Sequence, residues 1–366
     1  MKKTLALVLA LAMCLALLTA CGGGGGGGTE TGSGGEGGGG TAAGEDITLR
    51  FSAHDPETSD IMIAAQNYFD QINEATDGHV TVEMLASGVV ASAATVGDMV
   101  SSGGVDMGWV YTSYYPTQFT LSDVITLPLQ GFGDNVAATQ MLWDLYESVP
   151  EMAAQWDNEY KVLQLYANPP MIFETKEPLS SVEDLHGLTI RCPSGAITDV
   201  LAAWGASGVS MPPNDVYEAM EKNNIDGYIF EVVGTCTFSL QEVTNYYLDM
   251  PLYTGPFAIA MNWDRWNSLP AEYQEAIDAI SGRDASVVSA QAFEDAMNAG
   301  IEQIKASNGS NGQPGEFITP TDEELAGWQV AADEYAAQWC ESITESVGID
   351  GAAYLAQAQE SIAQYE

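Results

Sequence analysis

Two stretches decide how this chain is read: Leu185-His186-Gly187-Leu188-Thr189-Ile190-Arg191-Cys192-Pro193, and Met211-Pro212-Pro213-Asn214-Asp215-Val216 onward to Ile225-Asp226-Gly227-Tyr228. Leu188 to Arg191 reads as a short strand that starts an α/β unit. A helix is expected over Thr198 to Trp204. Pro212 to Asp215 then caps a further helix over Val216 to Lys222, because proline and aspartate suit a helix start. Ile225 to Tyr228 closes the unit as a strand. Strand, helix, helix and strand in this order point to α/β architecture with a largely parallel sheet.

An earlier part of the chain repeats the plan. Ile47-Thr48-Leu49-Arg50-Phe51-Ser52 alternates apolar and polar residues, the period of a half-buried strand. His54-Asp55-Pro56 interrupts it. A helix follows from about Ser59 to Ala75, with Ile61, Ala64, Ala65, Tyr68, Phe69 and Ile72 on one face. Asp77-Gly78 is a turn, and Val80 to Met84 is a second strand. A helix over about Ala94 to Ser102 leads to a strand over Val105 to Val110. The two halves echo each other, since Gly103-Gly104-Val105-Asp106-Met107-Gly108 and Asn223-Asn224-Ile225-Asp226-Gly227 each follow a helix. Two such units facing each other imply a cleft, and ligand sites favour domain interfaces and strand ends.

Between and beyond the units, Val162 to Tyr166 reads as a strand, and Asn168-Pro169-Pro170 as a crossover between domains. Pro270 precedes a long helical pattern from Ala271 towards Ala306, with Gly282 and Gly300 as expected bends. Helices near Glu323 to Ser346 and Gly351 to Gln364 complete the chain. The expected domains are 47–168 with about 256–295, and 169–255 with about 296–366.

Charge excludes one class of function. The chain has 10 Lys and Arg against 51 Asp and Glu, a net charge of -41. Nucleic acid and anionic lipid surfaces are repelled by such a balance. In so acidic a chain, a basic residue facing the interior stands out. Enzymatic signatures are missing as well. There is no HExxH and no GxSxG, Gly205-Ala206-Ser207-Gly208 is one residue short of a nucleophile elbow, and only His54, His79 and His186 are available as imidazole bases. No CxxC pair suggests a zinc or redox site, and no cofactor is implied. Cys192, Cys236 and Cys340 read either as one disulfide plus a thiol or as three small buried residues.

The N-terminus reads as an address. Lys2 and Lys3 precede an apolar run from Leu5 to Leu18, too short for a membrane span. Its end, Leu18-Thr19-Ala20-Cys21, resembles the lipobox of bacterial lipoproteins, which implies cleavage before Cys21 and acylation of its thiol. Residues 22–44 are glycine-rich and read as a flexible leash.

The combined pattern from Ile47 to the C-terminus resembles the solute-binding proteins of tripartite ATP-independent periplasmic (TRAP) transporters, the DctP-like family. The quoted stretches 185–193 and 211–227 carry the resemblance, with Leu127-Pro128 and Leu269-Pro270 where that family places its Leu-Pro pairs. The resemblance implies two α/β domains of the periplasmic-binding-protein-like kind, a hinge cleft and a long helix spanning both. It implies an organic-acid ligand, integral-membrane TRAP permease subunits as partners and no catalysis; the lipobox and leash imply a lipid anchor on the outer face of the cytoplasmic membrane. Arg191 falls on the family's carboxylate-holding arginine. Read from the residues alone, Arg191 is either such a cleft residue or a surface arginine paired with Asp199.

His54, Trp109, Tyr111 and Pro213 align with further pocket positions. For His54 the plain alternative is a loop residue in solvent, and for Trp109 it is core packing. Two positions depart from the family pattern, Met171 replacing a second arginine and Phe230 replacing an asparagine. Both changes remove polar groups, which favours a monocarboxylate with an apolar, aromatic or branched body over a dicarboxylate or sugar acid. Alternatives of other classes are the binding lipoprotein of an ATP-driven importer, a surface enzyme, and an adhesin.

Overall fold

A computed structural model describes residues 44–193 and 197–365. The signal segment, Cys21 and nearly all of the glycine-rich leash lie outside the described residues.

The first sheet begins with β1 (Ile47–Ser52), which buries Ile47, Leu49 and Phe51 and exposes Thr48 and Arg50, as its alternation predicts. Helix α1 (Asp60–Ala75) starts at Ser59, whose side chain accepts from the amide of Met62. A cap of this kind is worth about 1 kcal/mol. The helix buries Ile61, Met62, Ala65, Tyr68, Phe69 and Ile72. After the Asp77-Gly78 turn come β2 (Val80–Leu85), α2 (Val96–Ser101) and β3 (Met107–Tyr111). Strands β1, β2 and β3 are parallel. The sheet is completed by β4 (Tyr160–Ala167) and by a strand from much later in the chain, β10 (Pro256–Asn262), in the order β2-β1-β3-β10-β4. Strand β10 is antiparallel to both neighbours. Helices α3 (Asn135–Ser148) and α4 (Pro150–Asp157), which the sequence pattern did not reveal, pack on this sheet beside β4.

The second sheet contains β5 (Ile172–Thr175), β6 (Thr189–Cys192), β7 (Ser207–Ser210), β8 (Gly227–Phe230), β9 (Tyr246–Leu248) and β11 (Glu316–Ile318), in the order β11-β9-β5-β8-β6-β7. Helices α5 (Thr198–Ala203) and α6 (Val216–Glu221) lie where the sequence placed them, while α7 (Val232–Thr237) was not foreseen. Two of the chain's passages between the sheets, β4 to β5 and β9 to β10, run side by side. The amide of Asn168 donates to Gly255 O, the amide of Gly255 donates to Asn168 Oδ1, and Met171 bridges Tyr253. The Asn168-Pro169-Pro170 crossover is thus one half of a hydrogen-bonded pair of straps.

After α8 (Trp263–Ser268), the expected long helix is two: α9 (Ala271–Ala279) and α10 (Arg283–Ala306). Gly282 has φ of 81°, where a side chain is strained, and it breaks the helix rather than bending it. Gly300 does not break the helix, which runs through it. A Cβ there would lie 2.8 Å from Val232 Cγ1, so its function is close packing of α10 on α7. Helix α10 is 24 residues, about 36 Å at 1.5 Å per residue. It packs on α1, α3 and β4 of the first lobe and on α7 of the second. The last two helices are α11 (Asp322–Ser346) and α12 (Gly351–Ile362). Helix α11 starts on the second lobe, where Trp328 packs on Phe173 and Trp204. Helix α12 packs on α3, and Tyr354 Oη donates to Leu121 O. The expected boundary that gave everything after about residue 296 to the second lobe therefore does not describe α12. Its apolar face fits the first lobe, which sequence spacing does not disclose.

Candidate functional site

Arg191 is the third residue of β6, between β7 and β8, and its side chain is fully buried. Nε donates to Met211 O at 3.0 Å and Nη1 to Ile229 O at 3.1 Å. These two carbonyls fix the plane of the guanidinium. Nη2 is buried with no hydrogen-bond partner, and no carboxylate of the described residues lies within 4.0 Å. The surface alternative, pairing with Asp199, is not what the structure shows. The ring of Phe230, the last residue of β8, lies 5.0 Å from the guanidinium carbon. A buried, oriented and incompletely satisfied guanidinium is suited to a planar anion that takes two parallel hydrogen bonds.

The facing wall comes from the first sheet. Trp109 and Tyr111 are two residues apart on β3, so their side chains share one face. Phe257 sits opposite Tyr111 in the β3–β10 register. Tyr111 and Phe257 stack at 4.3 Å with 6° between planes, Trp109 and Phe257 at 4.5 Å, and His54 and Trp109 at 4.8 Å. Trp109 Nε1 donates to Tyr166 Oη at 2.7 Å, which holds the indole flat against the row. Burial lowers the His54 imidazole to about 4, so it is neutral near pH 7. It is not the solvent-exposed loop histidine of the alternative reading.

All seven residues singled out from the sequence, His54, Trp109, Tyr111, Met171, Arg191, Pro213 and Phe230, line a single cavity of about 20 Å³ between the lobes. Larger grooves elsewhere, of about 260 Å³ beside Cys236 and about 340 Å³ beside Tyr68, contain no arginine or lysine. The cavity also has lining residues that the sequence did not announce, among them Asp55, Tyr114, Glu231, Gly234 and Phe257. Burial raises Asp55 to about 7, against a hydrogen bond from Ser59. It raises Glu231 to about 8, with the neighbouring Asp55 adding to the rise and Arg191 opposing it. Burial also raises Tyr114, and the charge of Arg191 is the largest opposing effect. No disulfide joins Cys192, Cys236 and Cys340. Among the described residues no cluster of His, Cys, Asp and Glu could hold a metal ion.

The profile described as "Bacterial extracellular solute-binding protein, family 7", DctP, matches residues 51–342. The chain belongs to that family. Within it, this solute-binding protein is of the DctP-like TRAP type and acts outside the cytoplasm. A marine-metagenome TRAP solute-binding protein specific for aromatic acid ligands, solved with 3-hydroxybenzoate, is 25% identical with a TM-score of 0.81. The match covers 88% of this chain and 99% of that one. A monocarboxylate 2-oxoacid-binding periplasmic protein of Nostoc sp. is 27% identical over 63% of this chain and 64% of that protein. The ectoine/5-hydroxyectoine-binding periplasmic protein of Ruegeria pomeroyi is 24% identical over 88% of this chain and 92% of that protein. The solutes named for these relatives extend beyond simple monocarboxylates, so family membership alone does not choose among them.

Proposed function

We propose that this solute-binding protein captures a small organic acid, a monocarboxylate with an apolar or aromatic body, and delivers it to integral-membrane TRAP permease subunits without chemical turnover. The observation that carries this reading is Arg191, a fully buried guanidinium with an unpartnered Nη2 and no carboxylate within ion-pair distance among the described residues. A lone buried charge is destabilising, and a ligand carboxylate supplies its counter-charge. The rings of Trp109, Tyr111, Phe257 and Phe230 cover an apolar body, and each ring pair adds about 0.5–1.5 kcal/mol beyond area burial. Met171 and Phe230 offer no strong hydrogen bond to a second carboxylate or a polyol, so such groups would be desolvated without compensation. Relatives named for aromatic acids and monocarboxylate 2-oxoacids fit this class, while another is named for 2,3-diketo-L-gulonate, so the choice rests on the lining of the cavity. The relatives named for TRAP transport support a TRAP permease over an ATP-driven importer.

Binding closes the two lobes about the Asn168–Met171 and Tyr253–Gly255 straps, and opening re-exposes the cavity. The two domains that close are 47–168 with about 256–295, and 169–255 with most of the remainder. The chain is held at the outer face of the cytoplasmic membrane by an acylated Cys21, on the strength of Leu18-Thr19-Ala20-Cys21 and the glycine-rich leash. Side-by-side calorimetry with benzoate, a 2-oxoacid, a C4-dicarboxylate and sialate tests the ligand class. A dicarboxylate or sialate binding tighter than both monocarboxylates overturns it. Mass spectrometry of the mature N-terminus tests the anchor, where an unmodified Cys21 overturns lipidation.

A further inference from the structure

Arg191 is not the only ionisable group at the cavity wall. Asp55 lies in the loop after β1 and Glu231 directly after β8, so two carboxyls approach from opposite lobes. They are 6% and 7% exposed. Neither pairs with Arg191 within 4.0 Å. The imidazole of His54 is 3.6 Å from Asp55 Oδ1, and the burial that keeps that ring neutral prevents it from balancing the acids. Glu231 Oε2 is buried without a hydrogen-bond partner, as are His54 Nδ1 and Tyr111 Oη in the same cavity. Gly234 leaves room for this arrangement, since a Cβ there would lie 2.4 Å from the Phe230 ring and 2.7 Å from Glu231 Oε1.

A carboxylate on Arg191 satisfies the guanidinium but leaves Glu231 Oε2 unpaired and brings a third acidic group into a dry space. A plain apolar acid therefore leaves Glu231 Oε2 without a partner. A ligand group with N–H or O–H bonds completes the rest, and a cationic one also offsets the excess of acid. The flanking aromatic faces are compatible with such a cation.

We propose that the ligand carries, beside the carboxylate held by Arg191, a hydrogen-bond donor, an ammonium or a hydroxyl, that Glu231 accepts with Asp55 across the cleft. This rests on the assignment of Arg191 as the carboxylate site and narrows the substrate class to amino or hydroxy acids with an apolar frame.

Three probes of one shape test it: benzoate, 3-hydroxybenzoate and 3-(aminomethyl)benzoate, titrated calorimetrically into the purified protein and into its Glu231→Gln and Asp55→Asn variants. One of the two donor-bearing acids is expected to bind at least ~10-fold tighter than benzoate, about the value of satisfying one buried acceptor that is otherwise left without a partner. Preference for the aminomethyl acid assigns an ammonium, and its advantage shrinks in Glu231→Gln. Preference for the hydroxy acid assigns a hydroxyl, and its advantage shrinks in Asp55→Asn or Glu231→Gln. Thermal melts confirm that both variants fold. Benzoate binding as tightly as both others overturns the proposal while leaving the Arg191 assignment standing. No binding by any of the three overturns both.

Discussion

Two arginines in this chain show opposite ways of handling a positive charge. Arg283 lies at the start of α10, 28% exposed, with Nη1 2.7 Å from Asp144 and Nη2 2.9 Å from Glu147. Asp144 also accepts from Ser361 and Tyr365, and against the burial that raises it these hydrogen bonds and Arg283 lower its carboxyl. Arg191 is fully buried, with no acid within 4.0 Å among the described residues. Most other described cations follow the pattern of Arg283: Arg50 and Arg265 pair with Asp106, Lys161 with Asp278, Lys222 with Glu218 and Lys305 with Glu302. Lys176, half-buried, donates to Met220 O and Asn223 Oδ1. With 51 acids available, an unpaired buried arginine is a placement that the fold maintains, since it is the costly one. The lesson is that the site is recognised by what its cation lacks.

The comparison is broken most directly by Arg191→Ala. Removing the buried charge should weaken a monocarboxylate by at least ~100-fold, about 3 kcal/mol or more, while the melting temperature of the free protein stays level or rises. Calorimetry on the folded variant checks this, and unchanged affinity removes Arg191 from the site.

A gentler perturbation, Arg191→Lys, keeps the charge and loses the planar fork. It should retain binding at an affinity between those of the wild type and Arg191→Ala, roughly 10-fold down, because a point charge replaces two parallel hydrogen bonds. Affinity equal to wild type means that charge alone is read.

The third prediction concerns buried acids, the counterpart of the buried base. Glu174, on β5, accepts from Thr235 at 2.7 Å, and its other oxygen is buried and unpartnered. Burial raises it from 4.5 to about 8. A carboxyl with a raised folded pKa binds more protons in the folded state, so its contribution is full below 4.5 and lost as pH rises towards 8. Asp55, Asp123 and Glu231 shift the same way. The lowered His54 acts in the opposite sense between about 4 and 6.5. The melting temperature of the free protein should therefore fall between pH 6.5 and 8, where His54 no longer opposes. Glu174→Gln should flatten that slope, and a slope unaffected by the substitution would show that Glu174 ionises normally.

The smallest effect belongs to Arg283→Ala. Its ion pairs are partly exposed and screened, so the loss should be below about 1 kcal/mol in chemical denaturation, with ligand affinity unchanged. A larger loss would mean that the Asp144 network anchors α10 and α12 more strongly than ordinary surface pairs do.

How much of this was legible beforehand depended on where each signal lived. β1 was legible because one face is solvated and its residues alternate. β10 was not, since all seven residues from Pro256 to Asn262 are buried and period two vanishes. α3 buries residues all round, including Asn135, Ala137, Ala138, Thr139, Met141, Leu142 and Trp143, which erases the amphipathic stripe. Within the site, Arg191 stood out as a cation in an apolar strand, and family resemblance placed six further residues around it. Phe257 had no local signal because it joins the ring stack through a pairing more than a hundred residues away. Glu231 did leave one, an acid between Phe230 and Val232 in an otherwise apolar run. Asp55, beside His54, gave a weaker hint of the same kind.

The pairing of surface cations has a kinetic consequence. With the exposed lysines and arginines of the described residues paired to neighbouring acids, an anionic solute diffuses towards a body of net charge -41 and meets the favourable charge of Arg191 only once inside the cleft. Encounter is therefore uphill and capture local. Added salt shortens the range of the repulsion to about 8 Å at physiological strength, while the buried contact is little screened. Association of an acid with this protein should quicken as salt is added, the reverse of a binder that draws anions in by a basic rim.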